Sequence, residues 1–157
     1  MSVIYMMIGV SGSGKSTFAR KVNVETNGKT RIVSSDDIRE ELYGDASIQN
    51  NPKKIFSIVH KRIKEGIEAG EDVVFDATNL TKKNRKSFFI FLKENGIKAD
   101  VIACVFPTPI EECIARQQRR VRKVPTSVIQ KQFAQFEMPL VEEGFYAIAT
   151  FEDRKEE

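Results

Sequence analysis

The sequence predicts an α/β fold in which a parallel sheet of about five strands is flanked by helices, with a short helical lid. Three observations lead there. Short apolar runs of strand type alternate with helical patterns along nearly the whole chain, and such alternation builds parallel sheets covered on both faces. Residues 9–17, Gly-Val-Ser-Gly-Ser-Gly-Lys-Ser-Thr, fit G-x-x-x-x-G-K-[ST] without a mismatch. This motif stands between a strand-like and a helix-like run, the setting a phosphate-binding P-loop requires. Finally, Asp36 and Asp76 follow or close predicted strands. They therefore share with the motif the carboxyl edge of the sheet, where open α/β sheets hold ligands.

Each element has its own signal. Residues 3–8 are an apolar run of buried-strand type, and residues 18–22 read as the helix after the P-loop. Residues 30–34 are a second, β-branched strand, and Ser35, Asp36 and Asp37 supply capping side chains for a helix through Leu42. After a polar loop over 44–51, Pro52 opens a long helix whose Ile55, Ile58, Val59, Ile63 and Ile67 recur at helical spacing. Gly70 stops it, and residues 72–76 form a buried strand closed by a carboxylate. Thr81 caps a helix carrying Phe88, Phe89, Phe91 and Leu92, which ends before Gly96. A strand over 101–106 is followed by Pro107 and Pro109, then a helix from about Ile110 and an arginine-rich stretch. Pro125 opens a further helix with Val128, Ile129, Phe133 and Phe136 as its apolar stripe. Residues 146–151 read as the last strand, and 152–157 as a charged tail.

The 157 residues suit a single domain over 1–157, with a lid at about 115–125. At 41% hydrophobic and 30% charged residues, the composition is that of an ordinary globular protein. No apolar run reaches the ~20 residues of a membrane helix, and the first strand is too short for a signal peptide, so a cytoplasmic location without membrane contact is expected. Cys104 and Cys113 lack metal-type spacing and read as reduced core thiols. His60, without an evident partner, reads as a surface or boundary residue. The formal charge of +3 is too mild to identify a partner.

The motif's chemistry follows from its backbone. Successive N–H groups curl around an anionic phosphate, and Gly9, Gly12 and Gly14 permit the tight turn and close approach. Ser11, Ser13 and Thr17 complete the loop, Lys15 reaches the outer phosphates and Ser16 offers its hydroxyl to Mg²⁺. The helix start adds donors and the positive end of its dipole. A P-loop alone does not say where the terminal phosphate goes. Asp36 and Arg39, three apart on one helix face, discriminate: the carboxylate suits an attacking hydroxyl and the guanidinium an anionic group beside it. Asp76 stands where a Walker-B carboxylate would touch Mg²⁺, or else caps a turn. Arg116, Arg119, Arg120, Arg122 and Lys123 form the densest basic cluster and suit a lid over a triphosphate.

Taken together, residues 9–17, Ser35 to Arg39, the run Asp76-Ala77-Thr78-Asn79-Leu80, the arginines from Arg116 to Arg122 and Val124-Pro125 resemble the kinase domain of phage-type polynucleotide 5′-kinases. They also resemble the broader group of small P-loop kinases to which that domain belongs. The resemblance extends over about residues 1–145, and the ending from Phe136 to Pro139 followed by Glu143-Gly144-Phe145 is similar to that of the broader group. It implies ATP- and Mg²⁺-dependent phosphorylation of a 5′-hydroxyl end of DNA or RNA, with no obligate protein partner. By motif, it implies Lys15 and Ser16 at the triphosphate and metal, Asp36 as general base, Arg39 on the acceptor's neighbouring phosphate, and Arg116 or Arg120 on the β/γ-phosphates. It further implies Arg119 at the nucleotide, and Asp76 and Asn79 towards the substrate. Two departures leave choices open. The phage-type Asp-Thr-Asn is here Asp-Ala-Thr-Asn, which shifts the acidic residue. The lid-to-Pro125 spacing also differs by one, so Arg116, Arg119 and Arg120 remain alternatives. The chain is too short for the 3′-phosphatase domain that such enzymes often carry, so kinase activity without 3′-end trimming is expected.

Lys53, Lys54, Lys61, Arg62, Lys82, Lys83, Arg85 and Lys86 supply a basic surface suited to a phosphate backbone, although Tyr43 is the only obvious stacking residue near Asp36. The alternatives are a kinase for a small metabolite or aminoacyl-tRNA, and an NTP-driven switch without an acceptor.

Overall fold

The computed structural model describes residues 1–46, 50–120 and 124–152. Arg122, Lys123 and residues 153–157 of the expected tail lie outside the described residues. Five strands, β1 (Val3–Ile8), β2 (Thr30–Ser34), β3 (Asp72–Asp76), β4 (Asp100–Val105) and β5 (Ala147–Thr150), form one sheet in the order β2-β3-β1-β4-β5. All four pairings are parallel. The helices are α1 (Lys15–Glu25), α2 (Ser35–Tyr43), α3 (Pro52–Glu68), α4 (Lys82–Glu94), α5 (Ile110–Gln118) and α6 (Thr126–Gln135), with a 3₁₀ turn at Val141–Glu143.

β1 is the middle strand, and its alternating side chains sort the core into two layers. Ile4, Met6 and Ile8 face a cluster completed by Ile55, Val59 and Ile63 of α3 and by Phe88 and Leu92 of α4. Met7 faces the other way, with Ala19 of α1, Val74, Cys104 and Phe106. A period of two along a strand buried on both sides makes β1 read as a continuous apolar run. Burial pushes the Cys104 thiol up to about 12 and raises that of Cys113, consistent with inert core thiols.

Because β1 lies between β3 and β4, the chain leaves it to one side for β2 and β3 and returns to the other side for β4 and β5. The crevice at this reversal is where the P-loop emerges. Among the described residues no helix is long and apolar enough to cross a membrane.

Several expectations change in detail. The cap of α2 is Ser34, whose hydroxyl accepts from the Asp37 N–H at 3.2 Å. Ser35, Asp36 and Asp37 are therefore the first helical residues, one place beyond the cap. Thr81 and Asn51 cap α4 and α3, and Pro52 is the first residue of α3. The stripe on α6 is largely uncovered: Ile129 is buried, but Val128 and Phe133 are exposed. Arg85 is no part of a basic surface. It is fully buried, forks onto Glu143 at 2.8 and 3.3 Å, and donates to the carbonyls of Asn79 and Leu80. Those carbonyls belong to the loop after β3, so the buried guanidinium fixes the path of that loop. His60 is half-buried and stacked on Phe91, with ring centroids 4.2 Å apart.

Candidate active site

The P-loop is held from behind by its own carbonyls. Lys15 Nζ donates to the Val10 carbonyl at 2.8 Å, Thr108 Oγ1 to that of Ser13 at 2.8 Å, and Arg116 Nη1 to that of Gly12 at 3.1 Å. The Gly9 N–H donates to the Thr78 carbonyl, which ties the loop to the segment after β3. Gly12 is required twice over, since its φ is +86° and an added Cβ would stand 2.7 Å from the Cys113 carbonyl oxygen. With these carbonyls engaged, the N–H groups that open α1, which have no intrahelical partner, are the groups left to meet an anion.

In front of the loop lies a cavity of about 330 Å³ bordered by Ser16, Arg20, Ser34, Asp36, Asp37, Asp76 and Arg120. Ser16 Oγ donates to Asp76 Oδ2 at 2.9 Å. Asp76 closes β3 and is pinned beside the Thr30–Ser34 strand by register, with Ser34 opposite Asp76. Burial pushes its carboxyl above the usual range. Lys15 and the Ser16 hydroxyl oppose that shift, and Asp36 and Asp37 add to it. Burial likewise lowers the Lys15 ammonium, with Asp76 and Asp36 opposing. A buried lysine beside a buried carboxylate, each with one neutral hydrogen-bond partner, favours an anion at the first and a cation at the second.

Asp36 and Arg39 form one unit on α2. Arg39 Nη1 lies 3.1 Å from Asp36 Oδ1, with the guanidinium 10% and the carboxylate 66% exposed. The arginine is thus sunk beneath a carboxylate that faces the cavity. Its Nε is buried without a hydrogen-bond partner, an arrangement that holds a donor ready at a considerable desolvation penalty.

Not every residue singled out in the sequence converges on this cavity. Arg120 borders it, but Arg116 sits behind the loop, also contacting Glu112 at 3.3 Å, and Arg119 is exposed at the end of α5 away from the lining. Asn79 is a correction. It is buried with φ +46°, and its amide donates to the Met7 carbonyl at 2.9 Å, so it locks the β3 loop to β1 instead of facing a substrate. Ser13 Oγ is buried without a partner, the Ser11 N–H is occupied, and Thr17 points to solvent.

The Ser11 partner was not legible in the sequence. Gln132 of α6 accepts from the Ser11 N–H at 2.9 Å across 121 residues, and Thr108 reaches the loop across 95. Neither carries a local motif.

The donor set fits a magnesium ion: a serine hydroxyl and a carboxylate oxygen, both hard ligands, face one polar cavity. Among the described residues there is no cluster of three His, Cys, Asp or Glu placed to hold a metal. Magnesium does not require one, because it is usually held by one or two carboxylates with phosphate oxygens and water.

Residues 4–139 match the family model AAA_33, described as an AAA domain. The chain belongs to this family. Its five-stranded parallel sheet with the P-loop after β1 is a P-loop kinase-like fold. Among solved structures, the domain is similar to a chain of the Pnkp1/Rnl/Hen1 RNA repair complex, with 26% identity and a TM-score of 0.73. That match covers 85% of this chain but only 43% of the other, so the domain spans less than half of that relative. A fungal RNA kinase matches at 16% identity and TM-score 0.70 over 99% of this chain and 39% of its own. A gluconokinase from Sinorhizobium meliloti 1021 matches at 17% and 0.62, covering 96% and 81%. The last two likenesses speak for the fold alone.

Proposed function

We propose that this protein is an ATP-dependent kinase that transfers the γ-phosphoryl group to the 5′-hydroxyl of a DNA or RNA end. The observation that carries the reading is Asp36, which borders the same cavity as Ser16 and Asp76 and has the buried Arg39 guanidinium paired to it at 3.1 Å. An NTP-driven switch would have no use for such a pair.

Lys15 and the loop from Gly9 to Thr17 hold the triphosphate, and Ser16 and Asp76 would hold the magnesium ion. Magnesium, when bound, neutralises charge on the phosphate oxygens. Asp36 accepts the proton of the attacking hydroxyl as its oxygen bonds to the γ-phosphorus and the bond to the β-phosphate oxygen breaks, releasing ADP. Arg39 holds the phosphate next to the acceptor hydroxyl, and Arg120 meets charge that builds on the transferred group. Arg116 acts by fixing Gly12, as a positioning residue. The likeness to the RNA repair chain supports a polynucleotide acceptor.

A second reading is favoured by the size of the cavity: 330 Å³ is at the small end of the ~300–1,000 Å³ of ligand sites and suits a metabolite alcohol. Labelled ATP offered with 5′-hydroxyl DNA, RNA, tRNA and a pool of small alcohols separates the two. Label on an oligonucleotide end supports the first reading, and label confined to a small alcohol overturns it.

A further inference from the structure

A second cavity, of about 580 Å³, lies away from the P-loop between α3 and α4. Its floor is aromatic: Phe56 and His60 of α3 and Phe91 of α4, with the His60 and Phe91 rings stacked at 12°. Its rim is basic, formed by Lys53, Lys61 and Lys64, and no acidic side chain is among the lining residues. Lys64 has a counter-charge in Glu68 at 4.0 Å, whereas Lys53 and Lys61 are exposed. Burial lowers the His60 pKa, so its ring is an uncharged stacking surface at neutral pH.

The topology joins this groove to the active site. α3 runs into the start of β3 and α4 leaves its end, so both helices begin at the carboxyl edge of the sheet. Lys53, Lys54, Lys82, Lys83 and Lys86 are exposed on their opening turns. A basic path thus leads from the edge bearing Asp36 down between the two helices. Aromatic faces interleaved with cations are what single-stranded nucleic acid requires, because every base has a face to stack and every linkage a charge.

We infer that the groove between α3 and α4 is a second subsite for the acceptor polynucleotide, where an unpaired base lies against Phe56, His60 and Phe91 while Lys53 and Lys61 hold the flanking phosphodiesters. This rests on the polynucleotide reading above and extends it to nucleotides beyond the reacting end.

The test is fluorescence anisotropy with labelled oligo(dT) and oligo(U) of about 16 nucleotides, titrated between about 50 and 200 mM salt. The Lys53→Glu/Lys61→Glu variant is expected to weaken binding about tenfold or more. It should also flatten the slope of log K against log salt by about 1.4, two contacts at ~0.7 each. Phe56→Leu, which keeps apolar volume but removes the ring, is expected to weaken binding by about fivefold. Reversal of two exposed lysines at the opposite edge, Lys29→Glu/Lys98→Glu, is the control for general charge. Equal losses from both double variants, or unchanged binding in Phe56→Leu, overturn the subsite. Competition by oligoglutamate as strong as by an oligonucleotide of equal charge also overturns it, and assigns the groove to an acidic protein segment. Binding is read without turnover, so the two readings fail separately. Groove-dependent binding without 5′-phosphorylation sinks the kinase, and 5′-phosphorylation with groove-independent binding sinks the subsite.

Discussion

Replacing Arg85 by alanine should destabilise the protein by about 4 kcal/mol, although the residue occupies a lysine-rich stretch of sequence. Its side chain is 0% exposed and Glu143, its forked partner, is 13% exposed. Removing the guanidinium leaves a largely desolvated carboxylate without its counter-charge, a change that typically costs ~3–5 kcal/mol. The carbonyls of Asn79 and Leu80 lose their donor as well, but these losses overlap and do not simply add. For a chain of this size each kcal/mol lowers Tm by about 2–4 °C, so a fall of about 8–16 °C is expected. Urea denaturation followed by circular dichroism measures it directly, with an unchanged m-value as the sign that native stability itself has shifted. Arg85→Met combined with Glu143→Leu should recover much of the loss, because no buried charge is left unpaired. Recovery should be incomplete, since Glu143 also accepts from the Leu140 N–H at 2.7 Å. A solvated surface arginine would change stability by less than ~0.5 kcal/mol, and a measured loss below about 1 kcal/mol for Arg85→Ala would refute the argument.

Four further outcomes test the site. Lys15→Ala should abolish nucleotide-dependent activity, as phosphate transfer from labelled ATP will report. Asp36→Asn should cut turnover by ~10²-fold or more with ATP binding nearly intact, and full turnover in this variant would remove Asp36 as the base. Arg39→Ala should raise the KM for the acceptor more than that for ATP, whereas equal increases would contradict its placement on the acceptor. Asp76→Asn should stabilise the unliganded protein at neutral pH while impairing Mg²⁺-dependent turnover. The sign follows from burial, which raises the folded-state pKa of Asp76 above its ordinary 3.8. The stability linked to its protonated form is complete below that value and is lost as pH rises through the folded-state pKa. The difference in unfolding free energy between variant and wild type should therefore grow with pH above about 4, and a difference flat across pH 4 to about 7 would show the carboxylate to be unperturbed.

The P-loop, the five strands and the carboxylates at their ends were legible because each is a local pattern. A glycine spacing, an apolar run or a capping residue acts through its immediate neighbours in the chain. Even the displaced cap of α2, Ser34 in place of Ser35 to Asp37, is an error of one residue within a correct local pattern. What the sequence could not show is where each charge would sit. Arg85 and Lys86 are adjacent in the chain, yet one is buried against Glu143 and the other exposed, because only one side of α4 faces the core. Arg116 and Arg120 are a helical turn apart, yet one braces the P-loop from behind and the other borders the cavity. Asn79 looked like a substrate ligand until packing placed its amide on β1, and Gln132 had no signal at all because its partner lies 121 residues away. Local chemistry determined that a phosphate-binding loop would meet two carboxylates at one edge of a sheet. Burial and long-range hydrogen bonding, which exist only once the chain has closed on itself, decided which side chains face the cavity and which hold it in shape.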